Sequence, residues 1–176
     1  MIQERLKELR AQMQERGIDI YIVPTSDFHQ SEYVGEYFKA RKYMTGFTGS
    51  AGTAVITKEE AGLWTDGRYF IQAEKQLEGS TVKLFKMGEE GVPKVEEEKK
   101  AALYVKEDLV GNIWKDRPQL PANKVWILED AYAGRSMADK IADVRTQMQK
   151  EGADIHILSS LYDIAWLLNL RGRDID

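Results

Sequence analysis

Apolar residues Ile2, Leu6, Leu9 and Met13 recur at steps of four, three and four, with Glu4, Arg5, Lys7, Glu8 and Arg10 between them. That spacing predicts an amphipathic helix over residues 1–16, stopped by Gly17. Residues 19–23 (DIYIV) follow as a β-rich run ended by Pro24. Residues 31–40 (SEYVGEYFKA) read as a short helix weakened by Gly35. Gly46, Gly49 and Gly52 punctuate the next stretch, which leads into a strand at 53–57 (TAVIT). A turn at 58–62 and a second strand at 63–65 (LWT) complete a predicted hairpin. Residues 68–77 (RYFIQAEKQL) read as a helix, and residues 81–86 (TVKLFK) alternate like a strand. The acidic and lysine-rich run at 92–100 reads as a solvated helix, 101–105 as a strand and 107–115 as a short helix. Helices and strands that alternate in this order define an α/β domain.

Residues 116–123 (DRPQLPAN) carry two prolines and no periodicity, which marks a domain boundary. Beyond it the pattern starts again. Residues 4–28 and 139–163 align without gaps at an offset of 135. Arg10/Arg145, Met13/Met148, Gly17/Gly152, Asp19/Asp154, Ile20/Ile155 and Ile22/Ile157 are identical pairs, and Leu6/Ile141, Leu9/Val144 and Val23/Leu158 match in character. Two unrelated amphipathic helices would share the apolar period, but not the glycine stop and the Asp-Ile-x-Ile strand after it. The chain therefore reads as a first domain followed by the opening of a duplicate. The repeated strand at 154–158 would have few partners, since the second copy stops after one further short helix.

Composition narrows the chemistry. Hydrophobic residues make up 43% of the 176, enough for a packed core. The formal charge of −4 leaves no basic excess for phosphate backbones, which argues against a dedicated nucleic-acid binder. With no cysteine there are no disulfides, thiolate metal sites or cysteine nucleophiles, a composition that fits a reducing cytoplasm. Residues 1–16 lack the unbroken apolar core of a signal peptide, and no run is long enough to span a bilayer.

Three segments invite functional readings. The glycines at 46, 49 and 52 resemble a phosphate loop, yet they precede a strand rather than a helix, which makes a turn or close backbone packing the better reading. Asp66-Gly67-Arg68-Tyr69 lies between strand and helix, where Asp66 could cap the helix and Arg68 could clamp a carboxylate or contact a peptide. Asp27, His29 and Glu32 follow the first strand. One histidine with two acids is a weak metal signature, and a Ser50–His29–Asp27 triad has no nucleophile-elbow sequence behind it. Trp64, Trp114, Trp126 and Trp166 are scattered singly, as packing residues are. The residues alone show no catalytic constellation.

Residues 21–33 (YIVPTSDFHQSEY), 46–54 (GFTGSAGTA) and 64–70 (WTDGRYF) resemble the N-terminal domain of the three-domain Xaa-Pro aminopeptidases, the aminopeptidase P family. The segments 107–110, 113–114, 116–118 and 163–172 extend the resemblance in the same order. It implies a creatinase-type N-terminal fold, a mixed β-sheet flanked by helices, at 1–115, a linker at 116–138 and a truncated second copy at 139–176. Family members continue into a pita-bread catalytic domain that holds two divalent metals, usually manganese, on Asp, Asp, His, Glu and Glu, and cleaves before proline. The resemblance therefore implies a chain with no catalytic residue, metal or cofactor of its own, inactive by itself, from a cytoplasmic, homodimeric enzyme that acts on proline-containing peptides. Its expected roles are dimerisation and the wall of the active-site mouth, with Asp27, His29, Arg68 and Tyr69 placed there. The chain departs from the family pattern near 95–105, which reads as internally shortened. The alternative expectation is a free-standing creatinase-like binding module.

Overall fold

A computed structural model describes residues 1–89 and 104–173 of the chain. These form two compact units, one of residues 1–25 and 36–119, the other of residues 26–35 and 120–176.

The first unit is built on a four-stranded sheet in the order β1-β2-β3-β4, with β1 (Ile20–Pro24), β2 (Thr53–Thr57), β3 (Ala61–Thr65) and β4 (Val82–Lys86). The first three strands run antiparallel, and β2 and β3 form the predicted hairpin. Helix α3 (Phe70–Leu77) carries the chain across to β4, which lies parallel to β3. Pro24 closes β1 at the sheet edge, where its missing N–H breaks no interior ladder. The register puts Tyr21, Ile56, Ala61 and Val82 in one row and Val23, Ala54, Leu63 and Leu84 in the next, all on one face.

That face receives the helices. Leu6, Leu9 and Met13 of α1 (Ile2–Glu15) are buried to within 1% of full exclusion. Met44 of α2 (Ala40–Thr45), Ala73 and Leu77 of α3, and Leu109, Val110 and Ile113 of α4 (Leu109–Ile113) join the same cluster. The amphipathic stripe read from the sequence is the seam of this core. Asp108 caps α4 by accepting the Gly111 N–H at 2.9 Å.

Three details depart from expectation. Residues 31–40 hold only a single 3₁₀ turn at Glu36–Phe38 before α2 begins, and the first of them, Ser31, gives its N–H to the Asp27 side chain instead of starting a helix. Asp66 does not cap α3: Tyr69 is the N-cap residue, with no side-chain cap bond. The helix predicted at 92–100, and residues 101–103 of the predicted strand, lie outside the described residues; residues 104–105 are not in a strand.

In the second unit, α6 (Met137–Glu151) is capped by Ser136, whose hydroxyl accepts the Asp139 N–H at 3.1 Å. The stretch expected as linker also contains β5 (Trp126–Ile127) and α5 (Asp130–Ala133), and β5 pairs with β6 (Leu170–Arg171). Helix α7 (Leu161–Leu167) precedes β6. The duplicate helix ends as the first does. Gly17 has φ +64° and Gly152 φ +65°. Gly17 N–H donates to Gln14 O at 3.2 Å and Ile18 N–H to Met13 O at 2.9 Å; Gly152 N–H donates to Gln149 O at 3.3 Å and Ala153 N–H to Met148 O at 2.9 Å. These are two Schellman stops with identical registers. The repeated strand at 154–158 is not formed. Ile155 and Ile157 are about four-fifths exposed, and the only strands described in this unit, β5 and β6, pair with each other. A β-rich run counts as a strand only when its backbone joins a ladder, and this one joins none among the described residues.

Candidate functional site

The four residues expected at an active-site mouth fall in pairs. Arg68 and Tyr69 belong to the first unit, Asp27 and His29 to the second.

In the first unit the centre is the glycine-punctuated loop before β2. Phe47 is fully buried, and a Cβ on Gly49 would lie 2.3 Å from its ring and 2.8 Å from the Tyr69 ring. Only a residue without a side chain lets the loop lie between these two aromatics. The loop's carbonyls are tied to the body. Gly49 O accepts from Arg41 Nη2, Ala51 O from Thr65 Oγ1 at 2.7 Å, and Gly52 O from Thr25 Oγ1 at 2.8 Å. On the opposite side Gln76 accepts the Thr48 N–H, and both Gln72 and Gln76 donate to the Thr48 hydroxyl. The segment is therefore a fixed shelf rather than a free loop.

Beside it, the hydroxyls of Ser50 and Tyr69 lie 2.6 Å apart. Ser50 is thus engaged with a tyrosine of its own unit. Arg68 gives Nε and Nη2 to the two oxygens of Asp66, each at 2.9 Å, and its guanidinium lies 5.2 Å from the Tyr69 ring centre. The bonds from Arg68 hold the Asp66 carboxyl below its ordinary value and raise the arginine in turn. Arg68 therefore projects in a set orientation, with Nε and Nη2 engaged by Asp66.

Arg41 is the residue that sequence reading missed. It stands beside Lys39 and Lys42, and nothing in that run sets it apart. It is 5% exposed, its Nε and Nη1 have no hydrogen-bond partner among the described residues, and burial depresses its pKa to about 10. Its guanidinium lies 4.8 Å from the Phe47 ring centre, directly under the shelf.

In the second unit, Asp27 Oδ1 accepts the N–H groups of His29 at 2.8 Å and Ser31 at 2.9 Å. Gln30 between them sits at φ +56°, as the tight turn demands. Burial opposes the Asp27 charge, but the bonds from Ser31 and His29 outweigh it and hold the carboxyl below the usual aspartate value. His29 Nδ1 lies 2.7 Å from Ser159 O. A carbonyl only accepts, so Nδ1 carries a proton in this contact, which leaves Nε2 as the ring nitrogen open to a ligand. Deeper in this unit the buried Lys140 ammonium donates to Trp166 O at 2.9 Å and Asn169 Oδ1 at 2.7 Å. Asn169, at φ +50°, passes the contact on to Asp130 and to Arg135 O. Among the described residues no group of three or more His, Asp or Glu could hold a metal ion.

A glycine shelf beside a Trp-Thr-Asp-Gly-Arg-Tyr-Phe turn on a mixed sheet defines a domain class, and known proteins identify it. Residues 5–110 match the Creatinase/Prolidase N-terminal domain, and residues 116–176 match a second family of the same description. The chain belongs to the Creatinase/Prolidase N-terminal domain family. It is 40% identical over 212 residues to Aminopeptidase P2 of Arabidopsis thaliana, covering 99% of this chain and 30% of that protein. It is 42% identical over 205 residues to a probable Xaa-Pro aminopeptidase P of Pyrenophora teres f. teres, covering 97% of this chain and 31% of the relative. The X-prolyl aminopeptidase of Caenorhabditis elegans, described as a cytosolic enzyme with a di-nuclear active site, superposes with a TM-score of 0.90 at 28% identity, over 99% of this chain and 35% of that one. The chain thus spans about a third or less of the relatives it matches.

Proposed function

We propose that the chain is the non-catalytic N-terminal portion of a Xaa-Pro aminopeptidase, a metallopeptidase that releases the residue before proline. Its role is to form part of the wall of the active-site mouth and to contribute to a homodimer. The observation that carries this reading is the match over nearly all of this chain to about 30% of each plant and fungal relative. The similarity to the worm enzyme supports the same assignment. In this reading the two metals of the parent enzyme, manganese by the family resemblance, belong to its catalytic domain, in line with the di-nuclear active site of the worm relative. The Arabidopsis alignment runs over 212 residues against 176 in this chain, which supports a shortening within the matched span, and we place it near 95–105, where the family pattern breaks. No described helix is long and apolar enough to cross a membrane, and a cytoplasmic location follows from the worm relative by analogy.

Within that reading each pair has a task. An exopeptidase must hold a free N-terminus and admit a long chain behind it, and fixed groups contributed by another domain reduce the entropy of that placement. His29 Nε2 offers an acceptor to an ammonium or amide, while Arg68 and Tyr69 offer donors and a ring face. The experiment has two arms. The purified chain with added manganese should neither hydrolyse a Xaa-Pro peptide nor retain stoichiometric metal; turnover with bound metal would overturn the non-catalytic assignment. In an enzyme containing the whole chain, His29→Ala and Arg68→Ala should lower kcat/KM. Unchanged values would remove these residues from the mouth. The free-standing module reading is the weaker one, because each relative matched here extends well past the shared region.

A further inference from the structure

We propose that the shelf at residues 49–52 is a carboxylate-binding site, formed by the N–H groups of Ser50 and Gly52, the Ser50–Tyr69 hydroxyl pair and the unspent Nη1 of Arg68, over the buried cation of Arg41. The inference shares Arg68 and Tyr69 with the peptidase reading but does not depend on it.

The argument starts from peptide geometry. In a trans peptide the C=O and the following N–H point in opposite directions. Gly49 O is held by Arg41, so the Ser50 N–H points away from the buried guanidinium. Ala51 O is held by the fully buried Thr65, so the Gly52 N–H points away from the core. Neither N–H has a backbone acceptor among the described residues, and Ser50 is exposed. Fixing the carbonyls inward therefore turns two donors outward, an arrangement that suits an anion.

The side chains add to this. Ser50 and Tyr69 share one hydrogen bond between two hydroxyls, so whichever donates, the other keeps a free O–H. Arg68 spends Nε and Nη2 on Asp66 and retains Nη1, and Asp66 fixes the direction in which it points. Below the shelf, Arg41 has no ion-pair partner among the described residues, and two of its nitrogens lack any hydrogen bond there. A buried positive charge without a counter-charge acts over a longer range than a solvated one. Asp66 is the opposing charge in the cluster. It disfavours a dianion and so selects a singly charged, planar group, a carboxylate in preference to a phosphate.

The test is an amide chemical-shift titration of the ¹⁵N-labelled full chain with sodium acetate at neutral pH, with sodium chloride and inorganic phosphate as parallel series. Acetate should produce saturable shifts at Ser50, Ala51 and Gly52. Two exposed substitutions, Arg68→Gln and Ser50→Ala, should each weaken the fitted affinity by roughly three- to tenfold, with the melting temperature confirming that both variants fold. The proposal is overturned if the acetate shifts grow linearly and match those of chloride. It is also overturned if phosphate saturates the site and acetate does not, or if both variants bind acetate like the parent.

Discussion

Gly17 and Gly152 test the duplication at the level of backbone energy. Both end their helices in the left-handed region, at φ +64° and +65°, and nothing lies within 4 Å of where a Cβ would project from either. Replacement by alanine therefore makes no clash, and the cost is that of forcing an L-residue into this region, about 1–2 kcal/mol. Alanine also narrows the unfolded ensemble, which offsets this by up to about 1 kcal/mol. The net expectation is a loss of about 1 kcal/mol for Gly17→Ala, a shift of about 0.5 M in the urea midpoint if the slope is about 2 kcal/mol/M. Gly17→Asn should lose less, since asparagine tolerates the left-handed region. Urea unfolding followed by circular dichroism reads these changes. For Gly152→Ala, hydrogen exchange of the α6 amides is the better measure, because that helix belongs to the other unit. An alanine variant as stable as the parent, or an asparagine variant worse than the alanine one, would refute the strain argument. A cost at one glycine and none at the other would refute the equivalence of the two stops.

Three further outcomes follow from single contacts. Leu9 is fully buried in the seam between α1 and the sheet, so Leu9→Ala should destabilise the first unit by about 3–5 kcal/mol in chemical denaturation; a loss under about 1 kcal/mol would mean that the core collapses around the cavity or is absent. The Asp27 carboxyl is held below its ordinary pKa, so its charge contributes stability above the unfolded value of about 3.9 and loses it as pH falls through the lower folded value. Asp27→Asn keeps an oxygen for the same N–H bonds and should flatten the acid limb of the stability–pH curve; parallel curves for parent and variant would show that the charge contributes nothing. Lys140→Met fills the same space but strips donors from Trp166 O and Asn169 Oδ1, at about 1–3 kcal/mol for each unsatisfied acceptor. Amide protection across residues 161–171 should fall, and unchanged protection would show that the ammonium is dispensable.

What could be read from the sequence were features whose cause is local. The α1 stripe, the β2–β3 hairpin and α3 follow from apolar period, turn residues and a helix-forming run, and each lies within a residue or two of its expected bounds. The motif residues Asp27, His29, Arg68 and Tyr69 were visible by resemblance, but their partners were not. Ser159 lies 130 positions from His29, and nothing near either residue announces the contact. Arg41 was hidden for the opposite reason. Its neighbours Lys39 and Lys42 pair with Glu36 at the surface, so the local pattern says solvent. It is buried because the residues that follow, from Gly46 to Gly52, fold back over it, a consequence of tertiary packing around Phe47 that no window of sequence contains.

The repeat shows why pattern alone does not decide structure. Residues 2–15 and 137–150 carry the same apolar period, form helices and stop on matched glycines, all of which local interactions determine. In the first copy Leu6, Leu9 and Met13 are buried, and the run after the stop becomes β1. In the second copy Ile141, Val144 and Met148 are only half-buried, and residues 154–158 remain outside any strand. The difference is the partner. β1 has β2 to complete its ladder from Ile20↔Thr57 to Pro24↔Thr53, whereas among the described residues the second run pairs with no strand. Strand formation is thus conditional on a neighbour where helix formation is not. The same Asp-Ile-x-Ile sequence therefore reads correctly as a strand at one end of the chain and incorrectly at the other.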